Sequence, residues 1–175
     1  HLQHFSDEIM ALSSSLINAA LALHTDVCKT FKKTAKNFHY EFNIRHLSNV
    51  FQGLLVAQPD EFSSAEKFVQ LWLHESERVY GDRLVCNDDL QKYKTIALAQ
   101  AKKRFPSFNM AKFFAAENSD PLLFCNFVDP MNDRVYDQVT SLSNLKKVLM
   151  ESLSDYNDSH AAMDLVLFGD AMRHV

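Results

Sequence analysis

The chain has 175 residues, 47% of them hydrophobic, enough to bury the core of one domain or of one domain with an appendage. With 18 Lys and Arg against 22 Asp and Glu the net charge is -4, which excludes the basic face of a nucleic-acid binder and a polybasic membrane anchor. The three glycines, Gly53, Gly81 and Gly169, lie too far apart for a loop that cradles phosphate, so no self-sufficient nucleotide site is expected within these residues.

The sequence carries no leader pattern and no apolar run of transmembrane length. Cys28, Cys86 and Cys125 are odd in number and widely spaced, so they are expected to be buried thiols in a reducing compartment rather than disulfides or zinc ligands. A start at His1 and an end at Val175 inside an apolar periodic run read as an excised piece of a longer chain.

Helical periodicity predicts a first helix from about Asp7 to about Lys33. Ser6 is its expected cap, Phe5 is expected to staple onto Met10, and Ile9, Leu12, Leu16, Ala20, Leu23, Val27 and Phe31 form its buried face. An extended link, Phe38 to Phe42, leads to Asn43, which caps a second helix with Leu47, Val50, Phe51 and Leu54 inward. Pro59 and Asp60 break the chain. Ser63 and Glu66 have capping-box spacing for a third helix that buries Phe68, Leu71, Trp72, the stem of Glu75 and Val79, and continues past Gly81 towards Leu84. Asp88 and Gln91 suggest another box for a fourth helix, which presents Leu90, Tyr93, Ala97, Ala101 and Arg104 and ends before Pro106. A short helix over Asn109 to Ala116 precedes an irregular stretch with Pro121 and Pro130, in which Leu122 to Val128 is a strand or a core-lining loop. Helices over about Ser143 to Tyr156 and from about Ala161 complete a mostly helical chain, with all four prolines outside helix interiors.

Few residues carry chemistry. Arg45 falls in the first turn of the second helix, where the dipole disfavours a cation, so an anion such as phosphate is one natural partner and Glu41 or another carboxylate is the plain alternative. The run from His74 to Arg78 begins like a zinc-protease helix but lacks a second His one turn later, so it is expected to be a helix with polar outer residues and no metal. No nucleophile elbow or acid–base carboxylate pair is present, so a hydrolase is not assembled.

Three long motifs, in order, resemble the dynein heavy chains, most closely the axonemal type. The segment from Phe38 to Gly53, FHYEFNIRHLSNVFQG, is similar to the H-Y-x-F-N-[LIM]-R-D-L-S-x-[VI]-F-Q-G signature in the lid of that family's third AAA+ module. The segment from Leu71 to Leu84 resembles the same lid's next helix. Tyr156-Asn157 and Met163 to Val175 resemble the run that precedes the phosphate-binding loop of the fourth module.

The resemblance implies an all-α fold: an AAA+ small helical lid over residues 1–134, with additional C-terminal helices over 135–175 leading into the next module. It implies a piece of an ATP-driven microtubule motor that senses nucleotide and relays conformational change around a ring of AAA+ modules without being catalytic alone. Arg45 then matches the arginine that senses nucleotide phosphate, and Leu165, Val166, Leu167 and Phe168 match the adenine-pocket lining of the fourth module. ATP or ADP with Mg would belong to the parent motor, not to these residues. The implied partners are neighbouring AAA+ subdomains of the same chain, with microtubules and dynein intermediate and light chains for the parent, in the cytoplasm, cytoskeleton and axoneme. The family has Asp where this chain has His46, and an Asp there can orient the neighbouring arginine. Without the resemblance, the residues read as a free-standing all-α protein-interaction module.

Overall fold

The long first helix, α1 (Asp7–Thr30), buries Ile9, Leu16, Ala19, Ala20, Leu23 and Val27 along one face at helical spacing, as its periodicity requires. The computed structural model describes residues 4–114, 122–128 and 135–174. These fall into two compact units, residues 1–119 and 120–175.

In the first unit α1 is followed by α2 (Ile44–Leu54), α3 (Ala65–Tyr80), a 3-10 turn at Gly81–Arg83, α4 (Asn87–Arg104) and a second 3-10 turn at Met110–Phe113. The central element is α3, which packs on α1, α2 and α4. Ten of its sixteen residues are buried, including Val69, Leu71, Trp72 and Leu73, so its apolar surface runs almost all round. The small residues Ala97 and Ala101 of α4 allow its backbone close to its neighbours, and Phe105 closes the end edge-on to Trp72 at 6.0 Å.

Several local expectations change. α1 ends at Thr30 rather than Lys33, and Ser6 sits at its N-cap without a side-chain bond. Phe5 is buried and packs edge-on against Phe68 at 5.6 Å, while Met10 is exposed. The α3 cap is Ser64, whose Oγ accepts the Lys67 N–H at 3.2 Å, and not Ser63 with Glu66. The first residue of α4 follows Cys86, so Asp88 lies inside the first turn and the Asp88–Gln91 box does not form. Where a short helix was expected over Asn109 to Ala116, Met110–Phe113 forms a 3-10 turn, and Ala115 and Ala116 lie outside the described residues. Phe51, Val79 and Leu90 are half-buried rather than inward.

His74 and Ser76 correct the expected polar outer face: both are buried, because a helix packed on three sides has no wet face at those positions. The thiols also divide. Cys125 is buried, Cys28 half-buried and Cys86 exposed at the start of α4, where it bonds the Asp89 carboxylate. Pro59 and Pro106 lie outside helices; Pro121 and Pro130 lie outside the described residues.

The second unit contains a short antiparallel pair, β1 (Phe124–Cys125) with β2 (Asp137–Gln138), then α5 (Leu142–Ser159) and α6 (Gly169–His174). Its core gathers Leu123, Cys125, Val139, Leu145, Leu167 and Met172. No helix forms from Ala161 to Phe168. The Asn157 side chain instead grips Met163, accepting its N–H at 2.8 Å and donating to its carbonyl at 3.2 Å. A side chain that takes both backbone groups competes directly with the helical ladder.

Candidate functional site

The start of α2 is held by the extended segment before it. Tyr40 and Phe42 both pack near Phe31, the residue that ends α1, at 6.2 and 6.4 Å, and Phe42 also meets Tyr80 of α3 at 5.8 Å. The Tyr40 hydroxyl donates to Asp89 at 3.0 Å and accepts the Val85 N–H at 3.1 Å, tying the segment to the α3–α4 connection and to α4. Arg83 donates to the His39 carbonyl at 3.3 Å, and the Cys28 thiol donates to the Phe42 carbonyl at 3.4 Å. The alternating aromatic residues thus work as anchors on one side, while the other side presents Asn43 to the helix.

Asn43 closes the helix with a capping box. Its Oδ1 accepts the Arg45 N–H at 3.0 Å, and its own N–H donates to Nδ1 of His46 at 3.0 Å. The reciprocal half of the box was legible as Asn-x-x-His, the usual spacing with His in place of Glu or Gln, and the sequence reading missed it. Burial lowers the His46 pKa, the nearby Arg83 charge adds to the effect, and a backbone bond at Asn43 opposes it without reversing it. His24, whose Nδ1 meets the Tyr80 hydroxyl at 3.0 Å, is also lowered, first by burial and then by His46. Both rings are therefore biased to the neutral form.

Arg45 is exposed in the first turn of α2. Among the described residues its guanidinium has no hydrogen-bond or ion-pair partner. The plain alternative partner, Glu41, pairs with Lys33 at 3.5 Å. On the next turns, a cavity of about 320 Å³ lies between Leu16 and Ile17 of α1 and Phe51 and Leu54 of α2, with Leu55 just after it; its walls are mostly apolar, with no charged side chain to hold a phosphate.

In the second unit Leu165, Val166 and Phe168 are 50%, 81% and 60% exposed, whereas Leu167 turns into the core at 9%. Among the described residues no group of three or more His, Cys, Asp or Glu side chains is placed to hold a metal ion, and no helix is long and apolar enough to cross a membrane.

The AAA+ lid domain family matches residues 16–115, a stretch that contains α2, α3, α4 and most of α1. The chain is 51% identical over 175 residues to "Dynein alpha chain, flagellar outer arm" of Chlamydomonas reinhardtii, covering 100% of this chain and 4% of that one. It is 42% identical over 167 residues to "Dynein axonemal heavy chain 17" of Homo sapiens, covering 95% and 4% respectively. To "Dynein heavy chain-like protein 2" of Plasmodium falciparum it is 37% identical over 175 residues, covering 100% and 3%. The chain thus spans about 4% of the length of the curated relatives it matches. With a helical unit of lid architecture and this similarity along its whole length, the chain belongs to the AAA+ lid domain family, in its dynein heavy-chain form.

Proposed function

We propose that this chain serves as the nucleotide-sensing lid of the third AAA+ module in a microtubule motor, and that residues 135–175 begin the fourth. The observation that carries this reading is Arg45, an exposed guanidinium without a partner among the described residues, in the first turn of a rigidly capped helix. A cation there opposes the helix dipole by ~0.3–1 kcal/mol, and an incoming phosphate relieves that conflict. Asn43 already takes the Arg45 N–H, so the contact falls to the guanidinium. The nucleotide, ATP or ADP with Mg, would be held by a large subdomain elsewhere in the parent; the lid supplies the arginine and no metal ligands. Lid closure on phosphate, transmitted through the capped helix to α3, would relay the nucleotide state to neighbouring subdomains.

Alone, the chain is proposed to be non-catalytic, since it has no phosphate-binding loop. The exposed Leu165, Val166 and Phe168 fit an apolar wall for adenine in the next module. Strand β1 pairs with β2, so the compact unit that holds residues 135–174 reaches back before them. Relatives named for ciliary and flagellar arms support an axonemal setting, where the parent would act on microtubules with intermediate and light chains.

The test is Arg45→Ala in the full-length motor, with the melting temperature of the same variant of this chain. The expected result is a stability change within ~0.5 kcal/mol and lost dependence of motility on nucleotide at that module. Arg45→Lys should not restore it, because an ammonium lacks the planar fork. A large stability loss with unchanged motility would show that Arg45 is structural.

A further inference from the structure

We propose that His46 is a proton-operated cap: the neutral ring holds the Asn43 amide and orders the α2 start that carries Arg45, and protonation releases it. The cap itself stands apart from the phosphate reading of Arg45; only its consequence for sensing rests on that reading.

The geometry gives one ring nitrogen two incompatible neighbours. Nδ1 of His46 lies 3.0 Å from the Asn43 N–H and 3.1 Å from the Asn43 Oδ1. An unprotonated Nδ1 accepts the amide, and Oδ1 is left to the Arg45 N–H at 3.0 Å. A protonated Nδ1 cannot accept; it turns its proton to Oδ1, competes with the Arg45 N–H and leaves the Asn43 amide facing a cation. Both halves of the box are weakened by one proton. A Glu or Gln in this place would accept throughout the neutral range, so the proton dependence comes from histidine.

Burial first, and the Arg83 charge after it, favour the neutral ring near pH 7. Arg83, from the turn after α3, faces it as a cation, a backbone bond at Asn43 acts in the opposite sense, and His46 in turn lowers His24 of α1. Tyr80 of α3 and Cys28 of α1 bond to His24, and the neighbouring cation on α2 itself is Arg45. The positive end of the α2 dipole acts in the same sense. Beside these, Phe42 packs on the His46 ring at 5.7 Å and holds it in place.

The test is amide hydrogen exchange of the 175-residue chain by NMR, with the Asn43 amide as reporter and rates corrected for intrinsic pH dependence. Between about pH 7.5 and a pH below the His46 titration, protection of Asn43 should fall about fivefold, the order expected from losing one cap bond. In His46→Gln and His46→Asp, which keep an acceptor that does not titrate in this range, protection should stay high at both. In His46→Ala it should be low at both. Ring nitrogen shifts should show a bare Nδ1 at the higher pH. Flat protection through the His46 titration, an equal fall in His46→Gln, or a proton resident on Nδ1 at the higher pH would each overturn the proposal. None of these readouts involves nucleotide, so they are unaffected if Arg45 proves to have another partner.

Discussion

Gly53 of α2 lies directly beneath the Glu75 side chain of α3, so close that a Cβ at position 53 would overlap the Glu75 carboxylate and its stem. The Glu75 side chain fills the space that a side chain at position 53 would need. Gly53→Ala is therefore expected to destabilise the first unit despite the ~1 kcal/mol by which Ala is the better helix former. Displacing Glu75 costs ~1–3 kcal/mol, so the net change is a loss. Trp72, the only tryptophan and fully buried, reports on this unit, and the urea midpoint of its fluorescence should fall. An unchanged or raised midpoint would mean that Glu75 moves aside freely.

Asn43 and Arg45 share one hydrogen bond but should behave oppositely when truncated. Asn43→Ala removes the side-chain cap and is expected to cost ~1 kcal/mol. Arg45→Ala keeps the backbone N–H that the cap uses and removes only an exposed guanidinium, so its cost should be within ~0.5 kcal/mol. Thermal melts of the two variants under the same conditions check the contrast, and equal losses would contradict it.

Tyr40→Phe removes a hydroxyl that both donates and accepts. A loss of ~0.5–1.5 kcal/mol per bond is expected near neutral pH. Asp89 is held below its ordinary 3.8 by bonds from Cys86, Lys92 and Tyr40. A lowered folded-state carboxylate stabilises above its unfolded value and stops doing so as pH falls through the folded one. The gap between wild type and Tyr40→Phe should accordingly narrow only below about pH 4. Denaturant midpoints of both proteins across that range provide the measurement.

His24 and His46 are both lowered from 6.5 in the folded chain. The unfolded state then binds protons first, so stability is complete above about pH 6.5 and declines as pH drops through and below that value. His24→Gln should flatten part of the decline. A urea midpoint that rises on acidification from neutral would reverse the assigned sign.

The helices, their order and much of the buried face of α1 were legible in the sequence, because burial on one side imposes a helical period on apolar residues wherever the partner lies. So was Asn43, because a cap acts within one turn. The choice between Ser63 and Ser64 was not: adjacent serines offer the same oxygen, and the docking of α3 decides which one stands at the helix start. Nor was the burial of His74 and Ser76, since a helix enclosed by three others looks no different in sequence from one with a polar stripe. The helical pattern after Ala161 was misleading for a related reason: Asn157, one element away, captures the Met163 backbone, and Leu167 alone of its apolar run reaches the core. Arg45 could be singled out from its position in the first turn. That its guanidinium stands clear while Glu41 is engaged by Lys33 depended on how the chain between α1 and α2 is folded, whereas the histidine that completes the helix cap lies within one turn and was there to be read. Local rules act over one turn of chain and can be read in it, whereas partners chosen across the fold are set by which elements share a core.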